Sequence, residues 1–272
     1  QSRAAIKGGG VPGISESDKV ILWAGGIYDW FDPTTLVRAV GRLSERRPMV
    51  RLFFLGLKHP NSSVLTTPKI AEIRALSDAL GLTEKFVFFN EGWVDYHDRQ
   101  NYLLDADVGV STHIQHIEAT FSSRTRILDY LWAGLPIVST AGDTFADLIT
   151  QQQLGVAVPE RDVDALVEAL DRCLFDEDFA AACRTNVARV AADFSWGEVL
   201  EPLLAFCRSP QRASDIATLS RSPHMPQFGK PGTSSLALAR QYLREGGPME
   251  VLRRSGGRIR RVVSERRSGF SR

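Results

Sequence analysis

The chain has 272 residues, of which 43% are hydrophobic and 24% are charged, and its formal net charge is +1. This composition is typical of a soluble globular protein and excludes a collagen-like or mostly disordered chain. No segment approaches the roughly 20 apolar residues of a membrane-spanning helix, and three scattered cysteines exclude a disulfide framework or a zinc site. The length allows one large α/β domain, with or without an appendage. Because the chain begins with Gln1 rather than Met, we expect it to be part of a longer protein.

Short apolar segments alternate with helical patterns along most of the chain. In chain order, the predicted elements are a strand at 19–24, a helix at 33–46, a strand at 50–56, a helix at 68–80, a strand at 86–89, a helix at 97–104, a strand at 108–111, a helix at 123–133, a strand at 136–139, a helix at 144–150, a strand at 155–158, and helices at 162–174, 177–192 and 198–207.

The first predicted helix has clear boundary signals. Asp32 is a favoured N-cap residue and Pro33 a favoured first helical residue, so we expect the helix to begin there. Leu36, Val40 and Leu43 recur at helical spacing and predict its buried face.

The alternation of strands and helices predicts an α/β fold, a Rossmann-like doubly wound parallel sheet with helices on both faces. We place this domain at 19–207, after an irregular lead-in at 1–18 and before a basic, partly helical or disordered tail at 208–272. Ligands of such sheets bind beyond the carboxyl ends of the strands. The candidate loops are therefore 25–32, 56–67, 90–96, 111–123 and 140–144.

The helix predicted at 123–133 has the features of an anion site. Ser122 or Ser123 is placed to cap it, and its first N–H groups, with Arg124 and Arg126, suit a phosphate. Asp129 shares a face with Arg126 and suits ribose hydroxyls one turn further on. A nucleotide site is one interpretation; an amphipathic helix with an Arg–Asp surface pair is the other.

A resemblance decides between them. The run from Asp129 to Val138 holds an acid within a helix, then Ala-Gly-Leu-Pro leading into an apolar strand. It resembles the signature of the donor-binding half of GT-B glycosyltransferases, in particular the large retaining family 4. Weaker similarity extends over about 19–207 and includes Gly25-Gly26, the Phe-Leu-Gly strand end at 54–56, the Asp-Ala-Asp-Val segment at 105–108 and the Phe-Ser-Trp phrase at 194–196.

This resemblance implies that the chain is the C-terminal domain of a two-domain enzyme. Such an enzyme moves a sugar from a nucleotide-sugar donor to a hydroxyl acceptor with retained configuration. The acceptor is expected to be a glycan or lipid-linked molecule in cell-surface polysaccharide or glycolipid synthesis. In family 4 one acid contacts the ribose, which Asp129 matches, and a second acid eight positions earlier lies near the donor sugar.

This sequence departs from the family at two places. The residue eight before Asp129 is Phe121, so we take Glu118 as the substitute acid. Loop 25–32 holds neither the Arg nor the Lys that commonly bind the diphosphate, and Arg124 and Arg126 are the proposed replacements.

Other loop residues complete the predicted site. Gly25 and Gly26 would let the backbone approach the diphosphate closely. Trp93 and the backbone of Val94 would lie against the base, with packing in the core or as a lid as the alternative for Trp93. His113 would hydrogen-bond the donor sugar or a phosphate and joins Glu118 as a catalytic candidate; a solvated loop histidine is the alternative.

Asp105 and Asp107 have the spacing of the metal-binding pair of a different glycosyltransferase fold. Their place at a helix-to-strand junction predicts capping rather than Mn²⁺ or Mg²⁺ binding. We expect no cofactor and no metal, with the nucleotide sugar as substrate.

The charge is unevenly distributed. Residues 221–272 hold 12 Lys and Arg against 3 Asp and Glu, whereas 1–220 hold 21 against 29. This pattern predicts an anionic partner such as a membrane surface, with a solvated terminus as an equal alternative. We expect a cytoplasmic location, peripheral to the inner face of the membrane, and no nucleic-acid partner.

Two other functions remain open from the sequence. A catalytically silent GT-B-like domain would bind a nucleotide sugar without turnover. A nucleotide-sugar epimerase of the same fold would convert the donor without an acceptor.

Overall fold

A computed structural model of the protein describes residues 4–57 and 67–212. The basic segment 221–272 and most of the predicted loop 56–67 lie outside the described residues. The chain up to Ala205 forms one compact unit, and only residues 206–212 are described of the second, which begins at Phe206. In the described part, no helix is long and apolar enough to cross a membrane.

Across the described residues, six strands form a single parallel sheet. They are β1 (Lys19–Trp23), β2 (Val50–Phe54), β3 (Val87–Phe89), β4 (Val108–Ser111), β5 (Ile137–Thr140) and β6 (Gly155–Val158). Their order is β3-β2-β1-β4-β5-β6, and all neighbouring strands are parallel. This confirms the predicted doubly wound fold, and because the order reverses between β1 and β4, a crevice opens at their carboxyl ends.

Helices connect the strands. They are α1 (Pro33–Arg46), α2 (Pro68–Ala79), α3 (Arg99–Leu104), α4 (Ile117–Phe121), α5 (Thr125–Ala133), α6 (Thr144–Gln151), α7 (Val163–Phe175), α8 (Glu177–Ala191) and α9 (Trp196–Arg208), with a 3₁₀ turn at Ala192–Phe194. Helix α4 lies in the segment predicted to be a loop, 111–123.

The sheet separates two hydrophobic clusters. Ile21 and Trp23 of β1 pack in the cluster formed with α1, α2 and α7. Val20 and Leu22 pack in the cluster formed with α3, α5, α6 and α8. This alternation along one strand is what a sheet covered on both faces requires.

The predicted boundaries of α1 are confirmed. The Asp32 carboxylate accepts a hydrogen bond from the Thr35 backbone N–H at 3.1 Å, and Pro33 is the first helical residue. Leu36, Val40 and Leu43 are fully buried. The local signals therefore agree with the tertiary packing.

The predicted serine cap of α5 is wrong. Arg124 occupies the N-cap position of α5, without a capping bond from its side chain. Ser122 instead ends α4, where its N–H donates to the Glu118 carbonyl at 2.8 Å. Because α4 ends only a few residues before α5 begins, Ser122 is the C-cap of α4 and does not cap α5. At the other end of α5, Gly134 adopts a left-handed conformation with φ of 71°, as a glycine at a helix end two residues before a proline predicts.

The segment before β1 has turns but packs into the core. One carboxylate oxygen of Asp105 accepts hydrogen bonds from the backbone N–H groups of Ala5, Ile6 and Lys7 at 3.1, 2.7 and 2.8 Å. Ile6 is fully buried. Asp107 accepts from the Val20 N–H at 2.7 Å, so both acids of the pair hold backbone N–H groups.

Candidate functional site

A cavity of about 300 Å³, here the switch-point cavity, lies beside the loop after β1 and the start of α5. It brings together most of the predicted site, namely Gly25, Gly26, Glu118, Ser122, Ser123, Arg124, Arg126 and Asp129, and adds Ala24, Tyr28, Trp30, Phe31, Arg99 and Thr125. Its size is at the lower end of the range for small-molecule sites.

Tyr130 of α5 ties together the two strands at the crevice. Its hydroxyl lies 2.9 Å from the carbonyl oxygens of both Leu22 and Val110 and accepts from the Ala24 N–H at 3.1 Å. Burial raises the pKa of Tyr130 to about 12, so the hydroxyl stays neutral. A Cβ on Gly109 would lie 2.4 Å from the Tyr130 ring, so the ring fits because residue 109 has no side chain.

Arg126 is buried beneath the loop that follows β1. Its Nη2 donates to the Gly26 carbonyl at 2.9 Å, and its guanidinium lies 4.2 Å from the ring centres of Trp23 and Phe31. A Cβ on Gly25 would come within 3.1 Å of the guanidinium. Nη1 has no hydrogen-bond partner in the described structure. Burial lowers the pKa of Arg126 to about 10, so it remains a cation at neutral pH.

Arg124 is a charge-compensated cation. Its two terminal nitrogens each donate to a different Glu118 carboxylate oxygen at 3.2 Å, and its Nε lies 3.6 Å from an Asp143 oxygen. Burial alone would raise the pKa of Glu118, but the hydrogen bonds and positive charge of Arg124 hold it below its usual value. Glu118 is therefore an anion, which suits hydrogen-bond acceptance rather than proton donation.

His113 lies apart from the lining of the cavity. Its side chain is fully buried, and its Nε2 lies 4.0 Å from an Asp143 oxygen. Burial and the charge of Arg124 lower the pKa of His113, so the ring is neutral at pH 7. The alternative of a solvated loop histidine is wrong. Direct contact between His113 and a ligand would need a rearrangement.

Asp129 pairs with a residue that the sequence did not single out. Its carboxylate accepts from Arg99 of α3 at 2.7 Å, so the Arg–Asp pair does not involve Arg126. Burial raises the pKa of Asp129 against the opposing charges of Arg99 and Arg126. Asp129 and Arg99 also line an adjoining outer groove of about 610 Å³ with Tyr96, Trp132 and Trp196.

Trp93 and Val94 line neither of these two cavities. Trp93 is exposed, and Val94 is half-buried and packs against the hydrophobic core. Their contact with a base stays a prediction. Within the described ranges, no cluster of three or more His, Cys, Asp or Glu side chains is arranged to hold a metal ion.

Comparison with known proteins shows the family to which the chain belongs. The family model described as "Glycosyl transferases group 1" matches residues 18–176, which include β1–β6 and the whole switch-point cavity. The chain belongs to this family. The match agrees with the expected GT-B glycosyltransferase domain of family 4 type.

The curated relatives that match this chain are larger proteins. The D-inositol 3-phosphate glycosyltransferase of Salinispora tropica is 26% identical over 216 residues, covering 76% of this chain and 43% of that protein. The probable sucrose-phosphate synthase 4 of Oryza sativa subsp. japonica is 28% identical over 171 residues, covering 61% of this chain and 16% of that protein. The chain thus spans less than half the length of these curated relatives.

Solved structures of other proteins share the fold. WaaG, a glycosyltransferase involved in lipopolysaccharide biosynthesis, matches with a TM-score of 0.57 at 21% identity, over 73% of this chain and 49% of that one. Anabaena HepE, solved with UDP and glucose, matches with a TM-score of 0.58 at 16% identity, over 71% of this chain and 49% of that one. At these identities the similarity concerns the fold.

Proposed function

We propose that this chain is the donor-binding domain of a glycosyltransferase that moves a sugar from a nucleoside-diphosphate sugar to a hydroxyl acceptor. The observation that carries the proposal is Arg126. A buried guanidinium with an unpartnered Nη1 lines a cavity at the sheet's switch point. Buried charges are normally paired, so an anionic ligand would complete this site.

The two cavities suggest how the donor lies. The diphosphate would lie beside Arg126 and the N-terminal turn of α5, where the helix dipole favours an anion. The ribose hydroxyls would reach Asp129, which is held in place by Arg99. Because Asp129 lines both cavities, the nucleoside would extend away from the switch-point cavity. Trp93 and Val94 remain proposed contacts for the base.

The reaction breaks the bond between the anomeric carbon and the diphosphate oxygen. The acceptor oxygen bonds to that carbon, and the hydroxyl proton is taken up by the departing diphosphate. Arg126 would stabilise the negative charge that develops on the leaving group, and no role is assigned to a metal. Glu118, as an anion, would accept hydrogen bonds from sugar hydroxyls. His113 would act behind Arg124 as a positioning residue.

The proposal also covers the stereochemistry, the acceptor and the cellular location. Retained configuration rests on the resemblance to family 4. A glycan or lipid-linked acceptor, in polysaccharide or glycolipid synthesis, is supported by the structural similarity to WaaG, a glycosyltransferase involved in lipopolysaccharide biosynthesis. A cytoplasmic location at the inner membrane face is supported by the 12 Lys and Arg against 3 Asp and Glu in 221–272, which suit anionic lipids.

One observation favours a second candidate, a domain that binds the donor without turnover. Phe121 occupies the position of the family's second acid and is highly exposed. Its proposed substitute, Glu118, is already bonded to Arg124 through both oxygens. Donor consumption, measured with and without acceptor lipids or glycans, separates the candidates because a silent domain leaves the donor intact.

Calorimetric titration of the 272-residue chain with UDP, GDP, ADP and dTDP tests donor binding. We expect saturable binding of one of them, weakened about 10-fold or more in Arg126→Lys because the planar, forked donor set is lost. Arg184→Lys, on the exposed surface of α8, is the matched control and should bind normally. Absence of binding to all four, in a chain that melts cooperatively, would contradict the proposal.

A further inference from the structure

The loop after β1 carries two stacked aromatic side chains. The rings of Tyr28 and Trp30 are 4.9 Å apart with planes inclined by 15°. Both line the switch-point cavity, yet they are 44% and 39% exposed. Large aromatic surfaces left open to solvent at a cavity are a feature of ligand sites.

Backbone hydrogen bonds and the packing of Phe31 hold the loop that carries this aromatic pair. The Phe31 N–H donates to the Tyr28 carbonyl at 3.0 Å, and the Ile114 N–H donates to the Trp30 carbonyl at 3.2 Å. Phe31, between them and the core, packs edge-on against Trp23 at 5.5 Å. These contacts fix the backbone on both sides of the aromatic pair, so the two rings present a preorganised surface.

The cavity is asymmetric. Tyr28 and Trp30 give it an apolar part, whereas Glu118, Ser122 and Arg124 give it a polar part. A pyranose has a matching asymmetry, because its C–H groups form an apolar face and its hydroxyls project from the edges. The negative face of an aromatic ring attracts polarised C–H groups, while a carboxylate accepts hydroxyl protons.

We propose that Tyr28 and Trp30 form the platform on which the sugar ring of the donor stacks, with Glu118 accepting hydrogen bonds from its hydroxyls. This inference rests on the proposed donor site. The sugar is favoured over the base as the stacked ring because Asp129, the proposed ribose contact, is shared with the outer groove. Tyr28, Trp30 and Glu118 line the switch-point cavity and do not line that groove.

The test compares each nucleoside diphosphate with its glucose derivative, using UDP, GDP, ADP and dTDP in the 272-residue chain. For the nucleotide that binds, the quantity is the ratio of the two Kd values. We expect the glucose derivative to bind more tightly, and Trp30→Leu to reduce this advantage about 3- to 10-fold, the range expected for one aromatic contact. Trp30→Phe should retain most of it, and Kd for the diphosphate alone should be unchanged in both variants.

The outcomes are separable. If no diphosphate binds the native chain, the proposed function fails and this inference fails with it. If a diphosphate binds but Trp30→Leu and Trp30→Phe keep the same sugar advantage as the native chain, the sugar platform alone is overturned. If Trp30→Leu weakens the diphosphate and its glucose derivative equally, the ring on the platform is the base. Melting curves of both variants check that the fold is intact.

Discussion

The ring of Tyr130 fills the space that a side chain at residue 109 would need, and a Cβ on Gly109 would come within 2.4 Å of it. Gly109 lies in β4, and the Tyr130 hydroxyl bonds to the ends of both β1 and β4. One glycine therefore allows α5 to be attached where the strand order reverses. The position of the candidate site depends on this contact.

Gly109→Ala should destabilise the fold by about 1–3 kcal/mol, the usual cost of overpacking a core. The cause is that the Tyr130 ring and α5 must shift to make room for the methyl group. Urea unfolding of the chain measures the change. Gly92→Ala is the control, since its nearest neighbour would be 3.8 Å away, and equal stabilities of the two variants would contradict this reading.

Asp129→Asn should increase the stability of the fold and weaken nucleotide binding. The folded chain holds the Asp129 proton more tightly than the unfolded chain because burial raises the Asp129 pKa. Ionisation of Asp129 therefore lowers the unfolding free energy as pH rises above about 4. Relative to the native chain, the variant should become more stable between pH 4 and 7, while its affinity for the nucleotide falls.

Unfolding curves at several pH values and a calorimetric titration give both quantities. Asp193→Asn, at an exposed position, should show neither effect. A stability difference that stays constant with pH would show that residue 129 titrates as in the unfolded chain.

His113 should make the fold sensitive to mild acid. Burial and Arg124 lower its pKa from 6.5, although Asp143 and Glu118 act in the opposite direction. The unfolded chain then binds the proton first, so the unfolding free energy falls as pH drops below about 6.5. His113→Gln should flatten this slope between pH 7 and 5, whatever its effect on absolute stability.

The measurement is the unfolding free energy as a function of pH in urea. His97→Gln is the matched control because His97 is exposed before α3. If the native slope persists in His113→Gln but disappears in His97→Gln, the assignment to the buried ring is wrong.

Asp105→Asn should loosen the segment before β1. The variant loses the charge of an oxygen that accepts three backbone N–H groups, at 2.7–3.1 Å. Hydrogen bonds to charged groups contribute about 1.5–3 kcal/mol each, so we expect a loss of about 1–3 kcal/mol from the weakened clamp. Limited proteolysis should cut the segment faster. Asp105 directly follows the last residue of α3. Asp98→Asn, at the exposed start of α3 and without a capping bond, should resemble the native chain.

Signals that act over a few residues were readable in the sequence. Asp32 and Pro33 begin α1, Gly134 ends α5, and the apolar runs form strands because capping and periodicity depend on neighbours in the chain. The resemblance carried by Asp129–Val138 added the family. Together they were enough to predict a doubly wound domain, and two of the five predicted ligand loops, 25–32 and 111–123, line the switch-point cavity.

Contacts between distant segments needed the tertiary structure. Three features depend on residues that are far apart in sequence. They are the strand order, the burial of His113 and the Arg99–Asp129 pair. Arg126 was predicted as a cation near a phosphate, but its place beneath Gly25 follows from how α5 packs on β1 and β4. The sequence determined which elements form and which family they belong to, since those signals are local. The tertiary packing decided which charges are paired, which are buried and which buried polar atoms have no hydrogen-bond partner, because each depends on groups brought together from across the sheet.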